Sequence, residues 1–351
     1  MIVLGIETSC DETAASVVQD GHILLSNVVA SSMDLHKVYG GVVPEIAARS
    51  HIESIIPVID EAVSSVGWGS IDAIAVTYGA GLGGSLLVGV MTARTLAIAK
   101  NKPLYAVNHV HGHVAANFLT STNLPNYKLP EKQPDFPLLA LIVSGGHTQL
   151  VFFESMFSYT ILGRTRDDAI GEAFDKVAKI VGLPYPGGPS ITAAAKMGDA
   201  NKYPLPKSKL DNKYEFSFSG LKTAVLRVAQ EEIGEDFTFP SKNISERLSE
   251  RQKADIAASF QRVAIETVVD KTVTAFEEFQ PKSIVIAGGV AANSELRRQL
   301  TERLPFSPIY TDIKLCTDNG AMIATLGCFM VTENQPTADP YSLDIAPNLT
   351  M

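Results

Sequence analysis

Cysteine is scarce in this chain of 351 residues: there are three, Cys10, Cys316 and Cys328, and they lie far apart. No two of them form a Cys-x-x-Cys pair. A disulfide framework needs an even set of cysteines and a zinc ribbon needs closely spaced pairs, so the sequence argues against both. Scattered, unpaired cysteines are typical of a reducing compartment, and we therefore expect the protein in the cytoplasm.

Excess positive charge and long apolar runs are also missing. The formal net charge is −9 and the pI is about 5.3, which excludes nonspecific electrostatic binding of nucleic acid as a bulk property. The longest apolar stretch, residues 82–99, contains Arg94 and several glycines, so it predicts a packed helix and no membrane span. The first residues have no basic lead and are not typical of a signal peptide.

What the chain does contain is a globular composition, 46% hydrophobic and 19% charged, and a repeated strand pattern. An apolar strand, Met1–Glu7, is followed by a polar turn and two further strands, and the same order starts again at Leu138. We interpret this as a duplicated α/β fold, the alternative being two unrelated hairpins. The linker-like stretch from Asn123 to Pro137 predicts an N-terminal lobe over residues 1–130 and a C-terminal lobe over residues 131–351.

A pair of histidines, His109 and His113, is the clearest chemical signal. They are four residues apart in Asn-His-Val-His-Gly-His, which is about one helical turn, so both imidazoles project from one face and can share a cation. The intervening His111 falls on roughly the opposite face. Two ordinary helix histidines are the alternative interpretation, and a metal site requires a third ligand from elsewhere in the chain.

Asp318, in Cys-Thr-Asp-Asn-Gly-Ala, could supply that third ligand and leave coordination positions open, as a catalytic metal requires. The alternative is that Thr317 or Asp318 only caps the apolar helix that follows. Asp11 and Glu12 lie in the first polar turn and are candidates for a base, or for solvated turn residues.

Three turns rich in glycine or hydroxyl groups follow strands, at Glu7-Thr8-Ser9, Ser144-Gly145-Gly146 and Gly288-Gly289-Val290. Glycine lets backbone N–H groups approach phosphate oxygens, so these turns predict a nucleotide site. Neither a Walker A sequence nor Gly-x-Gly-x-x-Gly is present. From Lys196 to Arg227 six lysines and one arginine face three acidic residues, a local charge of 7 − 3 = +4, which is either a solvated face or a contact for RNA phosphates.

Taken together, seven motifs resemble the bacterial TsaD family, the tRNA adenosine threonylcarbamoyltransferases. The motifs are GIETSCDET, YGGVVPEIAAR, LIVSGGHTQL, GEAFDKVAKIVGL-PYPGGP, FSFSGLKTA, IAGGVAAN and CTDNGAMIA, and they span nearly the whole chain. The resemblance implies a two-lobed, duplicated fold of the kind shared by actin, heat-shock chaperone ATPases and sugar kinases.

The resemblance also assigns residues. It places the metal ligands on His109, His113 and Asp318, with Fe²⁺ the expected ion and Zn²⁺ the alternative, and it places a catalytic carboxylate on Asp11. The substrate-binding positions it implies are Ile142, Val143, Ser144, Gly145, Gly146, Asp175, Gly188 and Asn293. One departure lies between the histidines, where the family's usual Met-Glu-Gly is here Val110-His111-Gly112.

The activity implied is transfer of threonylcarbamoyl from threonylcarbamoyl-adenylate to N6 of adenosine 37, in tRNAs reading codons that begin with adenine. The implied partners are tRNA, a paralogous TsaB-like subunit and a small TsaE-like ATPase. Two alternatives remain. A sugar or metabolite kinase of the same fold has no use for the histidine pair, and a zinc peptidase would need glutamate where Val110 stands.

Overall fold

The computed structural model describes all 351 residues, which form eleven strands and ten α-helices joined by turns and short 3-10 helices. The strands are β1 (Ile2–Glu7), β2 (Glu12–Gln19), β3 (Ile23–Ser31), β4 (Ala73–Gly79), β5 (Leu104–Asn108), β6 (Ser121–Thr122), β7 (Leu138–Val143), β8 (Thr148–Ser155), β9 (Ser158–Arg164), β10 (Ser283–Ala287) and β11 (Ile309–Tyr310). The helices are α1 (Met33–Lys37), α2 (Pro44–Ser64), α3 (Gly83–Lys100), α4 (His109–Ala115), α5 (Ile170–Val181), α6 (Gly187–Ala195), α7 (Ser219–Glu232), α8 (Glu250–Phe279), α9 (Ser294–Arg303) and α10 (Gly320–Thr332).

The first compact unit consists of residues Met1–Asp135 and Ile309–Met351. Its sheet has the order β5-β4-β1-β2-β3-β6, in which β1, β2 and β3 are antiparallel neighbours and β1, β4 and β5 run parallel. After its first residue β1 is buried throughout, as expected of a central strand covered on both faces.

The second unit, Phe136–Pro308, repeats this arrangement. Strands β7, β8 and β9 form an antiparallel meander, and β10 lies parallel to β7 on the other side, as β4 lies beside β1. The predicted duplicated α/β fold is therefore confirmed. No helix in the structure is long and apolar enough to cross a membrane.

The division between the units differs from the predicted one in its C-terminal part. We expected residues 131–351 to form one lobe, but residues 309–351 belong to the first unit. The reason is that α10 packs against β1 and β2, a long-range contact that no local pattern reveals. Asp318 therefore belongs to the same unit as the two histidines, contrary to the predicted boundary.

Glycine makes the close approach of α10 possible. A Cβ on Gly5 of β1 would lie 2.3 Å from the backbone oxygen of Gly320, and a Cβ on Gly320 would lie 2.5 Å from the backbone nitrogen of Ser16. Real side-chain carbons do not approach backbone this closely, so both positions require glycine. The start of α10, and with it the turn that carries Asp318, is held directly on the sheet.

Candidate metal centre and nucleotide turns

The two histidines lie on α4, a seven-residue helix that begins directly after β5. Asn108 caps this helix, its side-chain oxygen accepting from the backbone N–H groups of Val110 and His111 at 2.9 and 3.2 Å. The rings of His109 and His113 are 4.8 Å apart between centroids, as the spacing of four residues predicts. His111 is buried too, but it does not belong to the cluster that could hold a metal.

Asp318 joins the histidines from the turn that precedes α10. Its Oδ1 lies 3.2 Å from His113 Nε2 and 3.6 Å from His109 Nε2. The helix cap is the next residue, Asn319, whose side-chain oxygen accepts from Met322 N–H at 3.1 Å. Capping by Thr317 or Asp318, the alternative raised by the sequence, is therefore not what the structure contains.

The three side chains fit a divalent cation. Atoms bound about 2 Å from one ion are separated by about 3–4 Å. The Asp318 oxygen meets this condition at 3.2 and 3.6 Å from the two imidazole nitrogens. All three ligand atoms lie within 4.8 Å of one another, so a small movement of the side chains would bring them around one ion. The His113 ring is 2% exposed, and neither of its nitrogens makes a hydrogen bond although Asp318 is close. A buried polar atom without such a partner is costly, and a cation at Nε2 would remove part of that cost. Two imidazoles and one carboxylate suit Fe²⁺ or Zn²⁺ and leave positions open.

Glu7, which the sequence placed in a predicted turn and not beside the histidines, contacts His109. Its carboxylate is fully buried at the end of β1, and its Oε2 is 3.2 Å from His109 Nδ1. It also accepts from Ser9 N–H at 2.5 Å and from the Thr77 hydroxyl at 2.5 Å, while Ser9 Oγ lies 3.0 Å from the same His109 nitrogen. The sequence does contain one signal for this role, a glutamate at the end of an otherwise apolar strand.

Charge around His109 is unbalanced without a cation. Burial alone would lower the pKa of the imidazole, but the carboxylates of Asp318 and Glu7 outweigh it and raise the pKa of His109 to about 9. The site therefore favours a positive charge at this position, whether a proton or a metal ion supplies it.

Asp11 and Glu12, the predicted candidates for a base, lie in the same unit, Asp11 in the turn between β1 and β2 and Glu12 at the first residue of β2. Burial raises the pKa of Glu12 to about 9, and the nearby charges of Asp318 and Asp11 add to that effect. His51 of α2 contacts both the turn and the strand that follows it, because Nε2 lies 3.0 Å from the Cys10 carbonyl oxygen and Nδ1 lies 2.7 Å from the hydroxyl of Thr13 in β2. The turn is thus held in one conformation close to the Asp318 carboxylate.

In the second unit the Ser144-Gly145-Gly146 turn follows β7. It is closed by Ser144 N–H donating to the His147 carbonyl at 2.8 Å. Gly145 and Gly146 are exposed, and a Cβ on either would meet nothing within 4 Å. Ile142 and Val143 are fully buried in β7, so the structure exposes neither of these two predicted substrate positions.

Of the two other predicted turns, Gly288-Gly289-Val290 meets this one. A Cβ on Gly288, whose φ is +91°, would lie 2.5 Å from the Val143 carbonyl oxygen and 3.1 Å from Ser144 Cβ. Gly171, at the start of α5, donates its N–H to the Ser144 carbonyl at 3.2 Å. The ends of β7 and β10 and the start of α5 therefore lie together, and the binding of a nucleotide there stays a prediction.

The remaining predicted substrate positions form a hydrogen-bonded group beside these turns. Asn293 donates to the Thr192 hydroxyl and the Gln261 side-chain oxygen, both at 3.1 Å, and Thr192 donates to the Gly188 carbonyl at 2.8 Å. Asp175 accepts from Gly187 N–H at 2.6 Å, and burial raises the pKa of its carboxyl group. Thr192 and Gln261 also line a cleft of about 770 Å³, but none of the predicted substrate positions lines it.

The basic segment from Lys196 to Arg227 is less cationic than its sequence indicates. Lys207 pairs with Glu266 at 3.0 Å and with Asp270 at 2.7 Å, and Lys222 pairs with Asp168 at 2.7 Å. These acidic partners lie far away in the sequence, mostly on α8, so a local charge count overlooks them. The charge left for an RNA phosphate is smaller than +4.

Comparisons with known proteins agree on one family. Residues 23–325 match the family model described as TsaD: tRNA N6-adenosine threonylcarbamoyltransferase. A protein of that name from Thermomicrobium roseum is 51% identical over 92% of this chain and 90% of its own length. The protein of the same name from Symbiobacterium thermophilum is 49% identical over 94% of this chain and 91% of its own length. The one from Dehalococcoides mccartyi is 48% identical over 100% of this chain and 99% of its own length.

Solved structures support the fold alone. HypF from T. kodakarensis superposes with a TM-score of 0.58 at 13% identity, over 95% of this chain and 48% of that protein. Full-length HypF in the phosphate- and nucleotide-bound form gives a TM-score of 0.56, also at 13% identity, over 95% and 47%. The predicted fold class, the duplicated α/β fold of actin-like ATPases and sugar kinases, is confirmed.

Proposed function

This chain belongs to the TsaD family of tRNA N6-adenosine threonylcarbamoyltransferases, and on that premise we propose the reaction it catalyses. The protein transfers the threonylcarbamoyl group from threonylcarbamoyl-adenylate to N6 of adenosine 37, in tRNAs that read codons beginning with adenine, and releases AMP. The observation that carries the proposal is the match of one family model to residues 23–325.

The chemistry requires little of the protein beyond positioning, because the donor is an activated mixed anhydride. The N6 amine attacks the carbamoyl carbon, a C–N bond forms, and the C–O bond to the adenylate phosphate breaks. One amine proton must leave, and the phosphate of AMP departs with the electron pair of the broken bond. Holding the two reactants together in the correct orientation supplies much of the rate enhancement.

The second unit supplies the binding surface for the adenylate. A Cβ on Gly145 or Gly146 would meet nothing within 4 Å, so the backbone N–H groups of these two residues can donate to phosphate oxygens. Ser144 closes the turn, because its own N–H donates to the His147 carbonyl. Asp175, Gly188 and Asn293 lie in the neighbouring hydrogen-bonded group and contact the nucleoside. The absence of side chains at the two glycines lets the phosphate reach the backbone.

The first unit supplies charge and donor atoms. His109, His113 and Asp318 hold one divalent cation, Fe²⁺ or the alternative Zn²⁺. When bound, that ion supplies Lewis-acid polarisation of an oxygen on the donor. Asp11 is the carboxylate that assists catalysis from the turn between β1 and β2, and His51 keeps this turn in place.

Partner proteins complete the system. The net charge of −9 opposes unaided capture of tRNA, which supports a need for other subunits, namely a paralogous TsaB-like protein and a small TsaE-like ATPase. Three free cysteines are consistent with a cytoplasmic location. A sugar or metabolite kinase remains the alternative from the same fold, and it leaves the cluster of His109, His113 and Asp318 without a purpose.

The direct test supplies the protein and its partners with unmodified tRNA, threonine, bicarbonate, ATP and the adenylate-forming enzyme. Nucleosides released from the tRNA are then analysed by mass. We expect threonylcarbamoyladenosine only when this protein is present. If phosphorylated small molecules accumulate and the tRNA stays unmodified, the kinase alternative is correct.

A further inference from the structure

Glu7 has a buried carboxylate that takes no part in the proposed reaction. It is the last residue of β1, its side chain has no solvent exposure, and all of its described partners belong to the first unit. Burying a carboxylate without compensation is expensive, so a chain that keeps one in its core gains something that a neutral side chain would not provide.

Two of the three partners do not require a charge. Ser9 N–H and the Thr77 hydroxyl are neutral donors, and the side-chain oxygen of a glutamine could accept from either. The third partner is different. His109 Nδ1, 3.2 Å from Oε2, belongs to an imidazole whose other nitrogen faces Asp318 at 3.6 Å.

We propose that Glu7 is a positioning residue that keeps the proton of His109 on Nδ1 and thereby makes Nε2 the metal donor. A carboxylate accepts but cannot donate, so the nitrogen facing it must carry the hydrogen. Ser9 Oγ, 3.0 Å from the same nitrogen, accepts from that N–H as well. Carboxylate–histidine–metal arrangements of this kind orient the ring and raise its basicity.

Charge balance supports the same role. Two neutral imidazoles and the Asp318 carboxylate leave a divalent cation with one uncompensated positive charge in a buried site. The Glu7 carboxylate, on the far side of the His109 ring, supplies the second negative charge. The inference rests on the metal site of the proposed function, but it assigns a residue outside the ligand set.

The first test compares metal affinity in three forms of the full chain, by competition with a chelator for Zn²⁺. Glu7→Gln keeps the shape and one acceptor oxygen, which can stay with Ser9 N–H, and removes the charge. Its amide NH2 group then replaces the oxygen that faces Thr77 and His109, and the Thr77 hydroxyl can turn to accept from it. We expect its affinity to fall by about 10- to 100-fold. Thr77→Val is the matched control, because it removes one hydrogen-bond donor to the same carboxylate and does not change the contact with His109. We expect its affinity to stay within about threefold of wild type, whatever it does to the melting temperature.

The second test does not depend on any variant of Glu7 folding. In the zinc-bound wild-type protein labelled with ¹⁵N-histidine, long-range ¹H–¹⁵N correlation spectra distinguish a protonated Nδ1 from a metal-bound one. We expect His109 to carry hydrogen on Nδ1 and metal on Nε2, its signals being assigned by their loss in His109→Asn.

Three results would overturn the inference. They are metal on Nδ1 of His109, unchanged affinity in a folded Glu7→Gln protein, and an equal loss of affinity in Thr77→Val. A wild-type protein that binds no metal would remove this inference together with the metal half of the proposed function. The transferase half would still be judged by the nucleoside analysis, so the two failures are distinguishable.

Discussion

The two units of this protein offer ligands in different ways. In the first unit the site consists of side chains, a buried cluster of imidazoles and carboxylates whose charges depend on one another. In the second unit it consists largely of backbone, an exposed turn with two glycines and no side chain in the way. The first site is therefore sensitive to the identity of donor atoms, and the second is sensitive to added volume. Substitutions that remove donor atoms from the first site, or add volume to the second, therefore test whether the two sites differ in this way.

The largest effect should come from the donor atoms of the first unit. Replacing both His109 and His113 with alanine should remove the metal, reducing bound ion from about one per chain to near zero. The matched control is His111→Ala, on the same helix and also buried, which should keep its metal. Elemental analysis of the purified proteins, with circular dichroism to check folding, measures this. Full metal content in the double variant would mean that the ion binds elsewhere.

The next effect should come from volume in the second unit. Gly145→Val places a branched side chain where nothing lies within 4 Å, so the fold should accept it while the phosphate is kept from the backbone. Binding of the adenylate, measured by calorimetry, should weaken by about tenfold or more, with unchanged circular dichroism. Gly69→Val in the first unit also has open space around it and should bind the adenylate normally. Normal binding by Gly145→Val would show that this turn is only structural.

Gly171, in the same region, should respond differently from Gly145, because a side chain there should destabilise the fold. Gly171→Ala would place a Cβ 2.6 Å from the Ser144 carbonyl oxygen, so the backbone must shift. We expect a loss of about 1–3 kcal/mol in the free energy of unfolding, read from a urea titration. If Gly145→Val destabilises the protein more than Gly171→Ala does, our distinction between ligand space and packing space is wrong.

A smaller effect is expected on tRNA binding. Lys209 has no acidic partner in the structure, whereas Lys207 lies between Glu266 and Asp270. Lys209→Glu should weaken tRNA binding uniformly across sequences and reduce the salt slope by about one, without affecting the adenylate. Lys207→Glu should instead lower stability, because it places three carboxylates together. Binding isotherms at several salt concentrations measure both. If the salt dependence of tRNA binding is unchanged in Lys209→Glu, the segment from Lys196 to Arg227 is only a solvated face.

The smallest effect concerns pH. Burial would raise the pKa of the Asp168 carboxyl, but hydrogen bonds from Lys176 and Lys222 outweigh it and hold the pKa below its usual value of 3.8. A lowered folded-state pKa contributes stability above pH 3.8, which is lost as the pH falls through the folded-state value. Asp168→Asn should therefore cost under about 1 kcal/mol at pH 7. Urea titrations between pH 7 and 3 should show this difference shrinking only below about pH 4. A difference that grows on acidification would contradict the assignment.

Local sequence patterns predicted the features that depend on local geometry. The strand order repeats because each strand and turn has its own signal, and His109 and His113 meet because four residues make about one turn of helix. The sequence predicted Asp318 as a candidate ligand but placed it in the wrong unit. Only the packing of α10 on β1 and β2 shows that Asp318 belongs to the first unit. Glu7 and the partners of Lys207 were missed for the same reason, since their contacts join residues far apart in the chain.

One measurement tests the central claim most directly, that the metal cluster and the glycine turns serve transfer to tRNA. The wild-type protein, the double alanine variant at His109 and His113, and Gly145→Val are each supplied with partners, unmodified tRNA and the adenylate-forming system. We expect threonylcarbamoyladenosine in the tRNA with wild type, a loss of at least about 100-fold in rate for the double alanine variant, and a loss of about tenfold or more for Gly145→Val. Modification at the wild-type rate by the metal-free variant, or none by the metal-loaded wild type, would contradict it.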